Sequence, residues 1–291
     1  MEAQPKDYTL DEMCRVLAVS ERLSRMEARR HTRSHAADRC TDAVRLIRAI
    51  HEELNGAYGS PRMVRELLGH GGPASKERIE RLMREYGIRA RHKRRYKVTM
   101  DSKHHLPVAA NLLNRDFTSS VTNQTWTSDI IYLWTDEGWL YLAIVIDLFN
   151  REVVGWSLQP RTTADIVIDA LTMAWFRRKP AGGLMHHSDR GSQYASQPFQ
   201  HKLKAYGMKG SMSRKGHCWD NAPTESWFNS FKNERAHGLR YTTRAEMTAA
   251  SFEYIEVFYN RPRRHSTLGY KSPMQFLDDW RMAQHDENLV A

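Results

Sequence analysis

An α/β domain on a mixed five-stranded sheet, preceded by an all-α region, is the fold class this sequence predicts. Three observations carry the prediction. Apolar residues recur at helical spacing in the first ninety residues outside the polar, basic stretch 26–40, β-branched and aromatic runs take over after Thr125, and helical segments then alternate with short strands. A length of 291 residues suggests roughly two domains. A content of 41% hydrophobic and 10% aromatic residues excludes a mainly disordered chain.

Residues 1–40 read as an N-terminal helical segment. Thr9 caps a helix carrying Leu10, Met13, Cys14 and Leu17, and Ser20 starts a second. Residues 41–97 read as a separate unit. Val44, Leu46, Ile47 and Ile50 share one helix, and Asn55-Gly56-Ala57-Tyr58-Gly59 breaks it. Ser60-Pro61 restarts a helix with a cap and a first-turn proline, and Gly69 to Pro73 stops it. Ser75 opens a third helix through Ile79, Leu82 and Met83, closed at Gly87. Three short helices with a turn before the last make a helix-turn-helix arrangement, although an ordinary three-helix bundle fits the pattern as well. The basic run that follows, RARHKRRYK, favours the former. Its Arg89, Arg91, Lys93, Arg94, Arg95 and Lys97 form an electrostatic footprint suited to DNA. Residues 98–121 read as a linker with one short helix around Pro107 to Arg115.

The region 122–282 changes period. TWTSDIIYLW (125–134), WLYLAIVIDLF (139–149) and EVVGWSLQ (152–159) read as three strands joined by turns at Thr135 to Gly138 and at Asn150-Arg151. Thr162-Thr163 caps a helix from Ala164 to Arg178, and LMHHSD is a short fourth strand ending at Asp189. A helix over Gln197 to Tyr206, a fifth strand at 208–213, the polar loop RKGHCWDN and a helix from about Pro223 to Arg235 follow. This order, three antiparallel strands and then helix, strand, helix, strand, helix, is that of a ribonuclease H-like domain. The tail adds an amphipathic helix, Arg244 to Asn260, a basic loop and a short helix at Pro273 to Trp280.

The formal net charge of +10 points to a polyanionic partner. A second basic run, RPRRH, contributes Arg261, Arg263 and Arg264 as further candidate DNA-binding residues. No stretch approaches the roughly 18 apolar residues of a membrane span, and the N-terminus does not resemble a signal peptide. A cytoplasmic, nucleoid-associated protein is expected. The three cysteines, Cys14, Cys40 and Cys218, lie far apart, which argues against a disulfide framework and a cysteine zinc site.

Three acids remain. Asp129 sits inside an otherwise apolar strand, where an unpaired charge is costly to bury. Asp189 ends the fourth strand beside the small Gly191, and Glu225 lies in the first turns of the helix after DNAP. Taken singly these are a salt-bridged strand acid, a turn former and a carboxylate favoured by a helix N-terminus. Taken together in this strand order they predict one site for two Mg²⁺ ions, with Mn²⁺ able to substitute. Such a pair of ions clamps the attacking and leaving oxygens of a phosphodiester in line, and Mg²⁺ takes few protein carboxylates.

The segments WTSDIIY, HHSDRGSQY and DNAPTESWFNSFK resemble the signature blocks of the D-D-E integrase catalytic core, shared by retroviral integrases and bacterial transposases. Thirty-five residues separate Asp189 from Glu225, the spacing typical of that superfamily. AYGSPRMVRELL, RLMREYGIRARHKRRYKVT and NRPRRHSTLGYKSP are similar to the insertion-sequence-three family, in its catalytic second frame, usually called OrfB. The chain departs from that family's pattern at Ile131, where threonine is more usual, and at ERLSRMEAR, which lacks a usual tyrosine pair. The resemblance implies Asp129, Asp189 and Glu225 as catalytic metal ligands and Lys232 as a DNA contact near the reacting phosphate. It implies a transposase acting on double-stranded DNA at element ends and target, by strand cleavage and strand transfer. A homo-oligomer in the DNA complex and an upstream OrfA-type partner or fusion are also implied. A regulator that binds the ends without cutting, and a ribonuclease acting on RNA–DNA hybrids, are the competing readings. The complete triad disfavours the first, the N-terminal region and Lys232 the second.

Other residues admit plainer roles. Asp147 reads as a turn or salt-bridge acid, and His187 and Ser188 either orient Asp189 or pack in the core. Gln193 and Tyr194 are positioned to touch DNA, and Asp220-Asn221 to cap the Glu225 helix. Trp126, Trp134, Trp139 and Trp156 read mostly as core, and Trp219 as core or loop packing in preference to stacking on a flipped base.

Overall fold

The computed structural model describes residues 41–71, 75–91 and 106–290. The expected helices over 1–40 and the basic residues Lys93, Arg94, Arg95 and Lys97 lie outside the described residues. The chain divides into two units, Met1–Ala90 and Arg91–Ala291.

In the first unit, helix α1 (41–53) buries Val44, Ile47 and Ile50, the residues its period aligns on one face. Helix α2 (Ser60–Gly69) buries Met63 and Leu67, and α3 (Lys76–Glu85) buries Ile79, Leu82 and Met83. Ser75 caps α3 by accepting the Arg78 N–H at 3.3 Å, an interaction of about 1 kcal/mol. Ser60 is not the cap of α2. Gly59 holds that position without a side-chain bond, and Pro61 occupies the first turn. Gly87, at φ +66°, ends α3 and lets the Ile88 N–H return to the Met83 carbonyl at 2.8 Å.

In the second unit, β1 (Thr125–Thr135), β2 (Gly138–Asp147) and β3 (Val153–Gln159) form an antiparallel meander. Helix α4 (Ala164–Arg178) returns the chain to β4 (Met185–Ser188), which lies parallel to β1. A single turn α5 (Ser192–Ala195) and α6 (Gln197–Ala205) lead to β5 (Lys209–Met212), parallel to β4. The sheet order is β3-β2-β1-β4-β5. Helix α7 (Ala222–Phe231) continues as a π-turn over Lys232–Ala236, and α8 (Arg244–Phe252) as a π-segment over Glu253–Tyr259. Helix α9 (Pro273–Val290) extends well past the expected end at Trp280. No helix among the described residues is long and apolar enough to cross a membrane.

Two apolar layers explain why β2 is almost continuously hydrophobic. Ala143 and Val145 face α4 with Trp126, Val154, Ile166 and Leu171, whereas Leu142, Ile144 and Ile146 face Trp227, Phe231, Tyr254 and Ile255. A strand covered on both faces needs no polar alternation. The α4 layer approaches closely at Gly155, where an added Cβ would stand 2.2 Å from the Ala170 carbonyl oxygen and 2.8 Å from the Ala174 Cβ. Gly155→Ala is therefore expected to destabilise the unit by at least about 1–3 kcal/mol, the usual range for overpacking, measured as a lower urea midpoint with unchanged slope.

The expected helix around Pro107 to Arg115 is absent. The segment runs along β5 instead, with Leu112 and Leu113 donating their N–H groups to Ser211 Oγ and Met212 donating to the Ala110 carbonyl. Asn111 turns the chain by accepting the Asn114 N–H at 2.9 Å, and Asn114 and Arg115 adopt positive φ. An asparagine side chain that satisfies nearby backbone in this way competes with helix formation.

Candidate active site

Strand register brings the first two acids together. The parallel ladder between β1 and β4 ends at Ser128 opposite Ser188, so Asp129 and Asp189 are the next residues on adjacent strands. Helix α7 supplies the third. The Thr224 hydroxyl lies 2.9 Å from that of Thr127 and 3.0 Å from Asn221 Oδ1, and the Asn221 amide donates to the Ser128 carbonyl at 3.2 Å. These bonds pin the start of α7 to β1, one residue before Glu225 and one before Asp129. Asp129, Asp189, Glu225 and Lys232 all line one cleft of about 600 Å³. Lys232, seven residues and two turns beyond Glu225, shares its helix face.

The electrostatics are those of crowded acids. Burial, then the charges of Asp189 and Glu225, raise Asp129 well above the ordinary carboxylate value. The Ile130 N–H, 2.7 Å from Oδ1, and the Asn221 side chain pull it back. Glu225 is raised by burial, which the Lys232 charge opposes and Asp189 reinforces. Lys232 is lowered by burial against the attraction of Glu225 and Asp129. Asp189 is held by the Gly191 N–H at 2.9 Å, and a Cβ on Gly191 would come within 3.0 Å of that carboxylate. Among the described residues no three His, Cys, Asp or Glu side chains converge on one ion position.

Several expected roles change. Arg263 is not a DNA contact. It is 1% exposed, and its guanidinium makes two 2.6 Å bonds to the buried Glu234 carboxylate while lying over the Tyr259 ring. A side chain consumed by a bidentate buried pair has nothing to offer a phosphate. Arg261 is exposed, Arg264 is half-buried, and Arg89 and Arg91 are exposed. Tyr194 is core, its hydroxyl 3.0 Å from that of Ser128, and Gln193 lines the cleft while donating to the Thr162 carbonyl. His187, pushed down to about 4 by burial, bonds Ser211 and Ser213 on the β5 side rather than Asp189. Asp147 is a turn acid, accepting from Thr122, Asn123 and Phe149. Thr163 holds the N-cap position of α4 but makes no side-chain cap bond.

Neither Asp220 nor Asn221 caps α7 with its side chain. Asp220 instead gathers Arg214, Arg115 and Asn111, and the hydrogen bonds from Arg214 hold its carboxyl well below the carboxylate range. That cluster fixes the loop leading into α7. The sequence signal for it was faint, because Arg115 and Asn111 lie about a hundred residues away. Trp134 and Trp139 are not core: they are 59% and 47% exposed, and both line the cleft. Trp219 is exposed as well.

A five-stranded mixed sheet with three acids at one cleft, preceded by a small helical unit, defines an integrase-core protein. The family model described as "Integrase core domain" matches residues 120–218, a second of the same description matches 225–279, and "HTH-like domain" matches 38–96. The "Transposase InsF for insertion sequence IS3A" of Escherichia coli (strain K12) is 43% identical over 95% of this chain and 96% of its own length. The "Insertion element IS600 uncharacterized 31 kDa protein" of Shigella sonnei is 40% identical over 92% and 98% respectively. The chain belongs to the IS3 family of insertion-sequence transposases. Among solved structures, the catalytic core domain of BIV integrase overlaps 56% of this chain and 99% of its own, at 16% identity and a TM-score of 0.42.

Proposed function

We propose that this transposase cuts and joins DNA by a D-D-E mechanism at the cleft of Asp129, Asp189 and Glu225. The observation that carries this reading is that three acids from three separate elements line one cleft together with Lys232. The donor set fits Mg²⁺: every candidate ligand is a hard carboxylate oxygen, and burial, joined at Asp129 by the charges of Asp189 and Glu225, disfavours the ionised acids in the way a bound cation would offset. When bound, two such ions supply activation of the attacking oxygen and charge neutralisation at the leaving oxygen.

The chain's own groups hold the geometry. The Ile130 and Gly191 N–H groups orient the two aspartates, Asn221 and Thr224 lock α7 over β1, and Lys232 places a positive charge where a phosphate enters. Water breaks one phosphodiester, leaving a 3′-hydroxyl and a 5′-phosphate. That hydroxyl then attacks a second phosphodiester, forming one bond as another breaks, so no covalent enzyme intermediate is needed. Of the candidate basic residues, Arg89, Arg91 and Arg261 are exposed, and contact with duplex phosphates at the element ends and target is assigned to them in this reading. Assembly as a homo-oligomer on DNA, and cooperation with an upstream OrfA-type partner or fusion, belong to the same proposal.

The test uses duplexes carrying the element's inverted repeats. Asp129→Asn, Asp189→Asn and Glu225→Gln are each expected to lower Mg²⁺-dependent nicking and strand transfer by more than about 100-fold, which even outer-shell changes can reach at metal sites. Full cleavage by any one of them overturns the reading.

A further inference from the structure

The cleft is longer than the acid cluster. Strand β1 pairs with β2 from Trp126 to Thr135 but with β4 only as far as Ser128. From Asp129 onward its other edge has no paired strand among the described residues, and the cleft follows that edge through Trp134. Period-2 alternation then sorts the side chains. Ile131 and Leu133 turn into the layer of α7 and α8 and are buried. Tyr132 and Trp134 turn to the opposite face, together with their cross-strand partners Tyr141 and Trp139.

Helix α4 covers β2 and β3 on that face but leaves this end of the sheet open. Tyr132 is 51% exposed there, and the Trp134 and Trp139 rings meet edge to face at 4.9 Å, a contact that leaves ring surface accessible. Tyr132 packs edge to face on Tyr141 at 4.9 Å and lies 6.3 Å from Trp139. Four aromatic rings thus form one continuous patch, three of them about half exposed and in the cleft that holds the acids.

Exposed aromatic surface of this extent marks a binding site, and its neighbour decides the ligand. Bases inside a duplex are already stacked on one another, whereas an unpaired base has a free face that stacks on Trp or Tyr regardless of sequence. At the rise of an extended strand, Tyr132 and Trp134 lie about 10 and 17 Å along β1 from Asp129. That is the distance of a few nucleotides from a phosphate held at the acids.

We propose that Tyr132, Trp134 and Trp139 form a stacking subsite for unpaired nucleobases of the DNA strand adjoining the reacting phosphate. The inference rests on the proposed function for its placement, but its test needs neither metal nor cleavage. The probe is a labelled oligothymidylate 12-mer, titrated against the full chain in EDTA, with fluorescence anisotropy as the readout. Moderately high salt weakens phosphate contacts and leaves stacking dominant. Trp134→Ala and Trp139→Ala are expected to weaken binding of the single strand by about 5- to 100-fold each, and to leave a blunt duplex within about twofold. Trp134→Phe and Trp139→Phe are expected to retain most of the affinity, which separates stacking from a folding defect.

Unchanged single-strand binding in the alanine variants overturns the proposal. So does an equal loss for single strand and duplex, or a shift from oligomer to monomer on gel filtration with single-strand affinity intact, which would make the patch a protein interface. If Asp129→Asn cleaves normally while Trp134→Ala and Trp139→Ala still lose the 12-mer selectively, the D-D-E reading fails while the subsite stands.

Discussion

Arg263→Ala is expected to cost about 3–5 kcal/mol of stability, because it leaves the Glu234 carboxylate buried without its partner. Glu234 also accepts the Tyr254 hydroxyl at 2.8 Å, so the loss propagates into the layer that packs on β2. A domain is held by only about 5–15 kcal/mol, and the variant should unfold far earlier in urea or heat. Replacing both partners, as in Glu234→Gln with Arg263→Met, is expected to recover much of the loss, since an uncharged pair leaves no stranded charge buried. Arg261→Ala is the control. Its side chain is exposed, so stability should stay within about 0.5 kcal/mol, while the salt dependence of DNA binding becomes shallower by about one phosphate contact. If Arg263→Ala melted like the native chain and showed that shallower salt dependence, Arg263 would be a DNA contact after all.

Asp129→Asn is expected to remove activity and, in the absence of metal, to raise the melting temperature at neutral pH. The sign follows from the direction of the shift. Asp129 is raised above its ordinary value of 3.8 by burial and by its acidic neighbours, so the folded chain binds that proton more tightly than the unfolded one. The stability this contributes is full below 3.8 and is lost as pH climbs through the raised value. Glu225 acts in the same sense from its ordinary 4.5. At neutral pH the ionised acids therefore weaken the metal-free fold, and an amide at position 129 removes a buried charge and its repulsion with Asp189 and Glu225. Melting curves in EDTA should show the variant above the native chain at neutral pH, with the gap closing towards acid pH. Adding Mg²⁺ should stabilise the native chain and leave the variant nearly unmoved. A lower melting temperature for Asp129→Asn, with neither protein responding to Mg²⁺, would refute the electrostatic picture.

The sequence by itself determined a good deal of this protein. Period-2 and near-continuous apolar runs located β1, β2 and β3, and helical spacing located α4 and the three helices of the first unit, because these signals depend on neighbours within four residues. A charged Asp129 inside an apolar strand, and the blocks around Asp189 and Glu225, marked the acids before any geometry was known. Only the tertiary structure decided which side chains meet. Arg263 belongs to a run that reads as solvated, yet its partner Glu234 is 29 residues away and is reached through two π-segments. Asp220, placed as a helix cap by its position, is drawn off by Arg115 from across the unit. Trp134 and Trp139 carry the same alternation as buried strand residues. Their exposure follows from where α4 stops covering the sheet and where β4 stops pairing with β1. Local pattern sets which face a side chain takes, whereas burial depends on what the rest of the chain lays over that face, and that is a long-range outcome of packing.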